Sequence, residues 1–133
     1  MKKITTLGRI LFAVPFVVFG INHFLMTNYY LGMLTSFIPL GAYTIVLTGI
    51  MLIGASISII TKKYIKQATL LLAFLLLIFI LTIHIPHLLN GSDKTATLIA
   101  LFKDISLMGG SMMIAGIYSE PDESEKNRSL TAK

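Results

Sequence analysis

Four long apolar stretches, separated by short connections, constrain this chain more than any other feature. A helix rises about 1.5 Å per residue, so about 20 apolar residues cross the hydrocarbon core of a bilayer. Backbone groups in lipid must find their hydrogen bonds inside the protein, and no alternating ten-residue pattern indicates a barrel, so each stretch is predicted to be a helix. The predicted spans are residues 4–26, 40–60, 68–89 and 97–118.

The composition requires lipid as the solvent of this domain. Of the 133 residues, 55% are hydrophobic and only 13% are charged, and the mean hydropathy is +0.82. A soluble domain of this size carries about a quarter charged residues. We therefore predict an all-α integral membrane protein, with a four-helix bundle at residues 1–118 and a disordered, polar cytoplasmic tail at residues 119–133.

Basic residues at the span ends predict the orientation. The net charge is +5, but the basic residues form no aromatic-interleaved patch, so lipid headgroups rather than nucleic acid are the expected partner. Two lysines precede the first span and three lie at residues 62–66, whereas residues 27–39 carry no charge. The positive-inside rule then places both termini in the cytoplasm, for a multi-pass protein of a bacterial inner membrane. The basic start lacks a small-residue cleavage site, so the first span is expected to stay uncleaved.

Two connections have a predicted local structure. Residues 27–39 are too apolar for a solvated loop, and we expect a short interfacial or re-entrant segment there, over the outer mouth of the bundle and ended by Pro39. Tyr29 and Tyr30 fit the aromatic belt of that interface. The turn before the last span holds Ser92 and Asp93, either of which can cap the following helix.

Polar and ionisable side chains inside the spans are the strongest functional signal, because hydrocarbon strongly disfavours them. At a rise of about 1.5 Å per residue, they lie on the outer side of their span midpoints, on three different helices. They are therefore predicted to converge on one pocket in the outer leaflet. The candidate ligand-binding residues are His23, Asn22, His84, His87, Lys103 and Asp104.

The spacing of His84 and His87 places both imidazoles on one helix face. Pro86 between them removes a backbone donor and frees the carbonyl of Thr82, which predicts a kink that opens the bundle. With His23 they offer three imidazoles, but no Glu or Cys stands nearby, and we predict no metal site. The alternative is that His87 reaches the headgroups while His84 hydrogen-bonds a neighbouring helix.

Asp104 is the most demanding of these residues. An Asp at the bilayer centre costs about 2.5–3.5 kcal/mol, so its carboxylate must be paired, protonated or hydrated. Lys103 is about 100° away around the helix, and we expect it to snorkel outward while Asp104 faces His23 or His84. Such a pair can pass a proton or hydrogen-bond the carbonyls of a quinone, and the alternative is an interhelical tie. Arg9 is expected to snorkel to the inner interface.

Four short motifs carry a family resemblance. They are GR at residues 8–9, FGINHF at 19–24, GIMLIGASISI at 49–59 and KDISLMGG at 103–110. In order and spacing they resemble the DoxX-like family of small four-helix bacterial membrane proteins, over roughly residues 7–117. The resemblance implies a membrane subunit of a quinone-linked or redox-stress oxidoreductase system. It places Arg9, His23, Lys103 and Asp104 in the recurrent pattern, with no settled catalytic set.

Three functions follow as hypotheses. The leading one is an accessory oxidoreductase subunit, with no evident cofactor, quinone as its ligand, and other membrane or redox-complex subunits or further copies of the chain as partners. The second is a carrier for a small solute or protons, and the third is an assembly protein without chemistry. The chain has no cysteine, which excludes thiol exchange and cysteine-ligated iron–sulfur clusters.

Overall fold

The computed structural model describes residues 1–34, 38, 40–119 and 130–132. Within these residues all regular structure is helical, as predicted. The prediction that Pro39 ends a segment falls on a residue outside the described part of the chain, and the prediction of a disordered tail falls mostly on residues 120–129 and 133, which also lie outside it. The elements are α1 (Lys2–Leu25), α2 (Thr27–Met33), α3 (Ala42–Thr61), α4 (Ile65–Phe79), a π-helical segment (Ile80–His84), α5 (Ile85–Asn90) and α6 (Lys94–Ile117).

Four helical segments are long and apolar enough to cross a bilayer. They are α1, α3, the continuous run from α4 through α5, and α6. Large apolar side chains such as Ile99 and Met113 point outward with 67% and 71% of their surface exposed. Lipid is the solvent that such a surface requires. The chain is therefore a multi-pass membrane protein.

The long helices pack in the order α1, α3, α4, α6, each antiparallel to the next. We call the end that holds the N-terminus and residues 62–66 the basic end, and the end that holds α2 and residues 91–93 the cavity end. The buried apolar core includes Ala13, Ile59 and Leu72 in the half toward the basic end. The other half holds the candidate site.

Glycines bring α1 and α3 into close contact. A Cβ added to Gly49 would lie 2.9 Å from the carbonyl oxygen of Gly20, and one added to Gly20 would lie 2.9 Å from that of Gly49. Toward the basic end, the hydroxyl of Ser56 donates to the carbonyl of Ala13 at 3.0 Å. Small residues at a contact are the usual way for helices to associate in lipid, where no hydrophobic force drives them together.

Pro86 shapes the third span as a bulge rather than a break. The N–H of Ile85 donates to the carbonyl of Ile80, five residues back, which marks the wider π-turn that precedes the proline. Proline has no N–H and its ring clashes with the carbonyl four residues earlier, and one wide turn accommodates both effects. The helix then continues as α5. The π-turn ends at His84, so it helps to decide where that imidazole points.

Arg9 is buried, which corrects the prediction that it snorkels to the interface. Only 7% of the residue is exposed. Its Nη1 donates to the carbonyls of Ile59 and Ile60, the latter at 2.8 Å, in the last turn of α3. The last carbonyls of a helix have no partner within it, and the helix dipole favours a cation there. These acceptors explain why the guanidinium turns inward.

The connections at the cavity end follow the predicted local structure in part. A short helix, α2, lies in the predicted segment and packs against α1 and α3. Asp93 caps α6, because its carboxylate accepts the N–H of Ala96 at 3.0 Å, so that prediction is confirmed. The depth of α2 relative to a membrane interface stays a prediction.

Candidate functional site

A cavity of about 690 Å³ occupies the cavity end of the bundle. Its wall is mostly apolar and comes from α1, α2, α3, α4, the π-helical segment and α6. Ligand sites are typically apolar cavities of about 300–1,000 Å³ with a few placed polar groups. Four of the six predicted ligand-binding residues line it, namely His23, His84, Lys103 and Asp104.

Asp104 is the centre of the polar cluster. Only 5% of the residue is exposed, and both carboxylate oxygens have partners. Oδ2 lies 2.7 Å from Nε2 of His84, and Oδ1 lies 3.3 Å from Nζ of Lys103. An ionised Asp104 only accepts hydrogen bonds, and Nε2 of His84 is the donor to that form. We refer to His84, Lys103 and Asp104 as the Asp104 cluster.

Lys103 takes a different course from the one predicted. Its ammonium turns back to Asp104 instead of snorkelling, and it lies 5.1 Å from the centroid of the Phe19 ring on α1. The four-carbon stem is long enough to span the angle between neighbouring helix positions. A carboxylate and an aromatic face are favourable surroundings for a cation in an apolar cavity. About half of the side chain, 49%, stays exposed.

His23, on α1, forms a second polar site in the cavity wall. Its Nδ1 lies 2.7 Å from the carbonyl of Phe19, and its ring stacks on Tyr30 at 4.1 Å between centroids and 13° between planes. The carbonyl can only accept, so Nδ1 carries the hydrogen, and in the neutral ring Nε2 is an acceptor. Asp104 therefore meets His84, whereas His23 pairs with α2 through Tyr30.

Tyr30 is a site residue that sequence reasoning assigned only to an aromatic belt. It lines the cavity and its ring covers His23. Burial raises the pKa of the Tyr30 phenol above its ordinary value, with Tyr29 adding to the effect, so the hydroxyl remains a donor. Residues 23 and 30 of one continuous helix would lie about 10 Å apart along its axis, so the stack depends on the break between α1 and α2 at Met26, which the spacing in the sequence does not reveal.

The other predicted site residues lie elsewhere. His87 and Asn22 do not line the cavity. Nδ1 of His87 donates to the carbonyl of Ile83 at 2.9 Å, and Asn22 is half-buried on α1. Arg9 lies toward the basic end, on the carbonyls of α3. Among the described residues, no three His, Cys, Asp or Glu side chains gather closely enough to hold a metal ion.

Comparison with known proteins finds no protein-family model, no curated protein and no solved structure that matches this chain.

Proposed function

We propose that this protein binds a small, mostly apolar molecule of the quinone class within the bilayer, as a DoxX-like membrane subunit of a quinone-linked or redox-stress oxidoreductase system. One observation carries the proposal. A largely apolar cavity inside the bundle contains a buried, hydrogen-bonded carboxylate together with a cation and two imidazoles.

The polar groups of the cavity suit both the oxidised and the reduced form of such a molecule. A quinone has a flat apolar ring and carbonyl oxygens that only accept hydrogen bonds. The ammonium of Lys103 has three donors, and its contact with Asp104 leaves others for a ligand oxygen. Nε2 of His23 is an acceptor in the neutral ring and suits the hydroxyl of the reduced, quinol form.

The Asp104 cluster also offers a place for a proton. The 2.7 Å contact between His84 and Asp104 lets a proton pass between imidazole and carboxylate without movement of the helices. Reduction of a quinone to a quinol takes up two electrons and two protons, and this pair lies in the cavity wall where those protons are needed. The chain has no cysteine that could act as a thiol reductant, so the proposal assigns the two electrons to a reduced electron-transfer cofactor on a partner subunit.

The same proposal places the protein in a bacterial inner membrane with both termini in the cytoplasm. Lysines at residues 62–66 are exposed at the basic end, which supports a cytoplasmic position for that end. The cavity end and α2 then lie toward the outer interface. In this orientation the cavity lies in the outer leaflet, at the same depth as a ligand dissolved there.

The test is direct binding to purified protein in lipid nanodiscs. We expect the wild-type chain to bind a short-chain quinone, measured by equilibrium dialysis or by quenching of tyrosine fluorescence. Lys103→Met and Asp104→Asn are expected to bind at least about tenfold more weakly, since a hydrogen bond to a charged group contributes about 1.5–3 kcal/mol. His87→Gln is the matched control and retains affinity, because His87 lies outside the cavity wall. Absence of binding by the wild-type chain, or equal binding by all four proteins, would refute the proposal.

The two other hypotheses have less structural support. A carrier needs a polar path to the basic end, and that half holds packed apolar residues such as Ile59 and Leu72, which are 0% and 1% exposed. An assembly protein would use the Asp104 cluster only as an interhelical tie. In that case Asp104→Asn changes stability, while no quinone binds to the wild-type chain.

A further inference from the structure

The cavity has a side that faces lipid, between α3 and α4. Leu47 on α3 and Phe74 on α4 belong to the cavity wall, yet 57% and 60% of their surfaces are exposed. Leu71 also belongs to the wall and is 45% exposed. Side chains with this exposure place one side of the cavity at the lipid-facing surface of the bundle, and we refer to this side as the opening. This opening lies at the depth of the hydrocarbon rather than at a water-facing end.

A groove lies next to this side of the cavity, between α3 and α4 on the outside of the bundle. It has a volume of about 240 Å³ and is lined on α3 by Gly54 and Ser58 and on α4 by Ala68. Met51 and Leu71 line both the groove and the cavity, so these two side chains form the boundary at which the two spaces adjoin. We call this feature the α3–α4 groove.

Small residues in this groove do not serve helix packing in the way Gly49 does. A Cβ added to Gly49 would strike α1, whereas a Cβ added to Gly54 would meet nothing within 4 Å. Small residues in membrane helices usually let two backbones approach closely. At Gly54 the space is left open on the lipid side of the α3–α4 pair.

We infer, building on the proposed function, that the ligand carries a long apolar tail, and that the α3–α4 groove holds the start of this tail while the head lies at the Asp104 cluster. The tailed quinone enters sideways from the bilayer through the opening at Leu47 and Phe74. Its head never crosses water on this route, and its tail stays in an apolar environment throughout.

The dimensions of the groove favour an extended chain over a partner helix. From Met51 to Ser58 the groove follows α3 for seven residues, which is about 10 Å at 1.5 Å per residue. A volume of about 240 Å³ over a length of about 10 Å is a mean cross-section of about 24 Å². A helix about 10 Å across with its side chains needs roughly 80 Å². The groove therefore has room for a hydrocarbon chain along its length, whereas a neighbouring helix would enter it only with side chains.

The experiment compares two quinones with the same ring in nanodiscs, one with a multi-isoprenoid tail and one with a methyl group in its place. Gly54→Leu fills the groove and is expected to weaken binding of the tailed quinone about tenfold, with the tailless quinone changed by less than twofold. Ser58→Leu is the second groove variant and is expected to show the same split. Gly116→Leu on α6 is the matched control, because an added Cβ there also meets nothing within 4 Å and the residue lines neither space.

The possible results separate this inference from the proposed function. A tail-dependent loss in the groove variants, with an unchanged control, supports both. Binding of both quinones with unchanged affinity in Gly54→Leu and Ser58→Leu overturns the tail groove and leaves the proposed function standing. An equal loss for both quinones also overturns it, because the substitution then acts on the head site. Failure of the wild-type chain to bind either quinone overturns the proposed function and the inference with it.

Discussion

The contact between His84 and Asp104 can be measured as a coupling free energy. The perturbation is a double-mutant cycle of His84→Ala, Asp104→Ala and the double variant. The atoms lie 2.7 Å apart, and the two side chains are only 12% and 7% exposed, so little solvent screening is expected. Such a cycle isolates the pairwise contribution from other effects of each substitution.

The structure sets the expected size of this coupling. A hydrogen bond to a charged group contributes about 1.5–3 kcal/mol, whereas interhelical hydrogen bonds in membrane proteins average about 0.6 kcal/mol with a maximum near 1.7. Lys103 lies 3.3 Å from the other carboxylate oxygen and still pairs with Asp104 when His84 is removed. This remaining partner lowers the coupling, and we expect about 1.5 kcal/mol, where the two ranges meet.

The assay is the free energy of unfolding, measured by titrating SDS into mixed micelles with a mild detergent. The matched control is the same cycle with His87→Ala, since His87 bonds its own helix at the carbonyl of Ile83. That cycle should be additive within about 0.5 kcal/mol. A His84–Asp104 coupling no larger than the control would show that the imidazole and the carboxylate do not bond across the helices.

Three further predictions test the fold and its orientation. Arg9→Met should lower the free energy of unfolding by about 1–3 kcal/mol, because buried carbonyls at the end of α3 lose their donor. An unchanged free energy of unfolding would contradict the buried position of Arg9. Gly49→Ala should lower the free energy of unfolding by about 1–3 kcal/mol, since the added Cβ lies 2.9 Å from the backbone of α1. In the control Gly116→Ala the added Cβ meets nothing within 4 Å, and the free energy of unfolding should stay nearly unchanged. Equal effects of the two substitutions would refute the close contact. The chain has no cysteine, so an introduced one is its single labelling site. Ser92→Cys should react with a membrane-impermeant maleimide in intact cells, and Lys63→Cys should react only after lysis. The reverse pattern would contradict the proposed orientation.

The helical spans were predictable because the bilayer imposes a length and a composition on each of them. Every predicted boundary lies within three residues of the observed one, the largest differences being at the starts of α4 and α6. The cap of α6 by Asp93 was also predictable, because it depends on hydrogen bonds within four residues. Local chemistry of this kind is visible in the order of the residues.

The direction of the long basic side chains was predicted wrongly. Both Arg9 and Lys103 were expected to extend toward headgroups, and both turn inward to acceptors on the protein. Snorkelling is the default for a basic side chain when nothing nearer accepts its hydrogen bonds. The acceptors here are the carbonyls at the end of α3 and the carboxylate of Asp104, and whether they are in reach depends on how the helices pack.

The amino-acid sequence by itself determined that the chain forms four apolar helices and that ionisable side chains gather toward one end of them, because depth along a helix is a count of residues. Only the tertiary structure decided that Asp104 meets His84, that His23 stacks on Tyr30, and that Asn22 and His87 stay outside the cavity. These outcomes depend on the rotation of each helix about its axis. That rotation is set by distant contacts, such as the glycine approach of α1 to α3 and the π-turn before Pro86, which no residue count along one helix reveals.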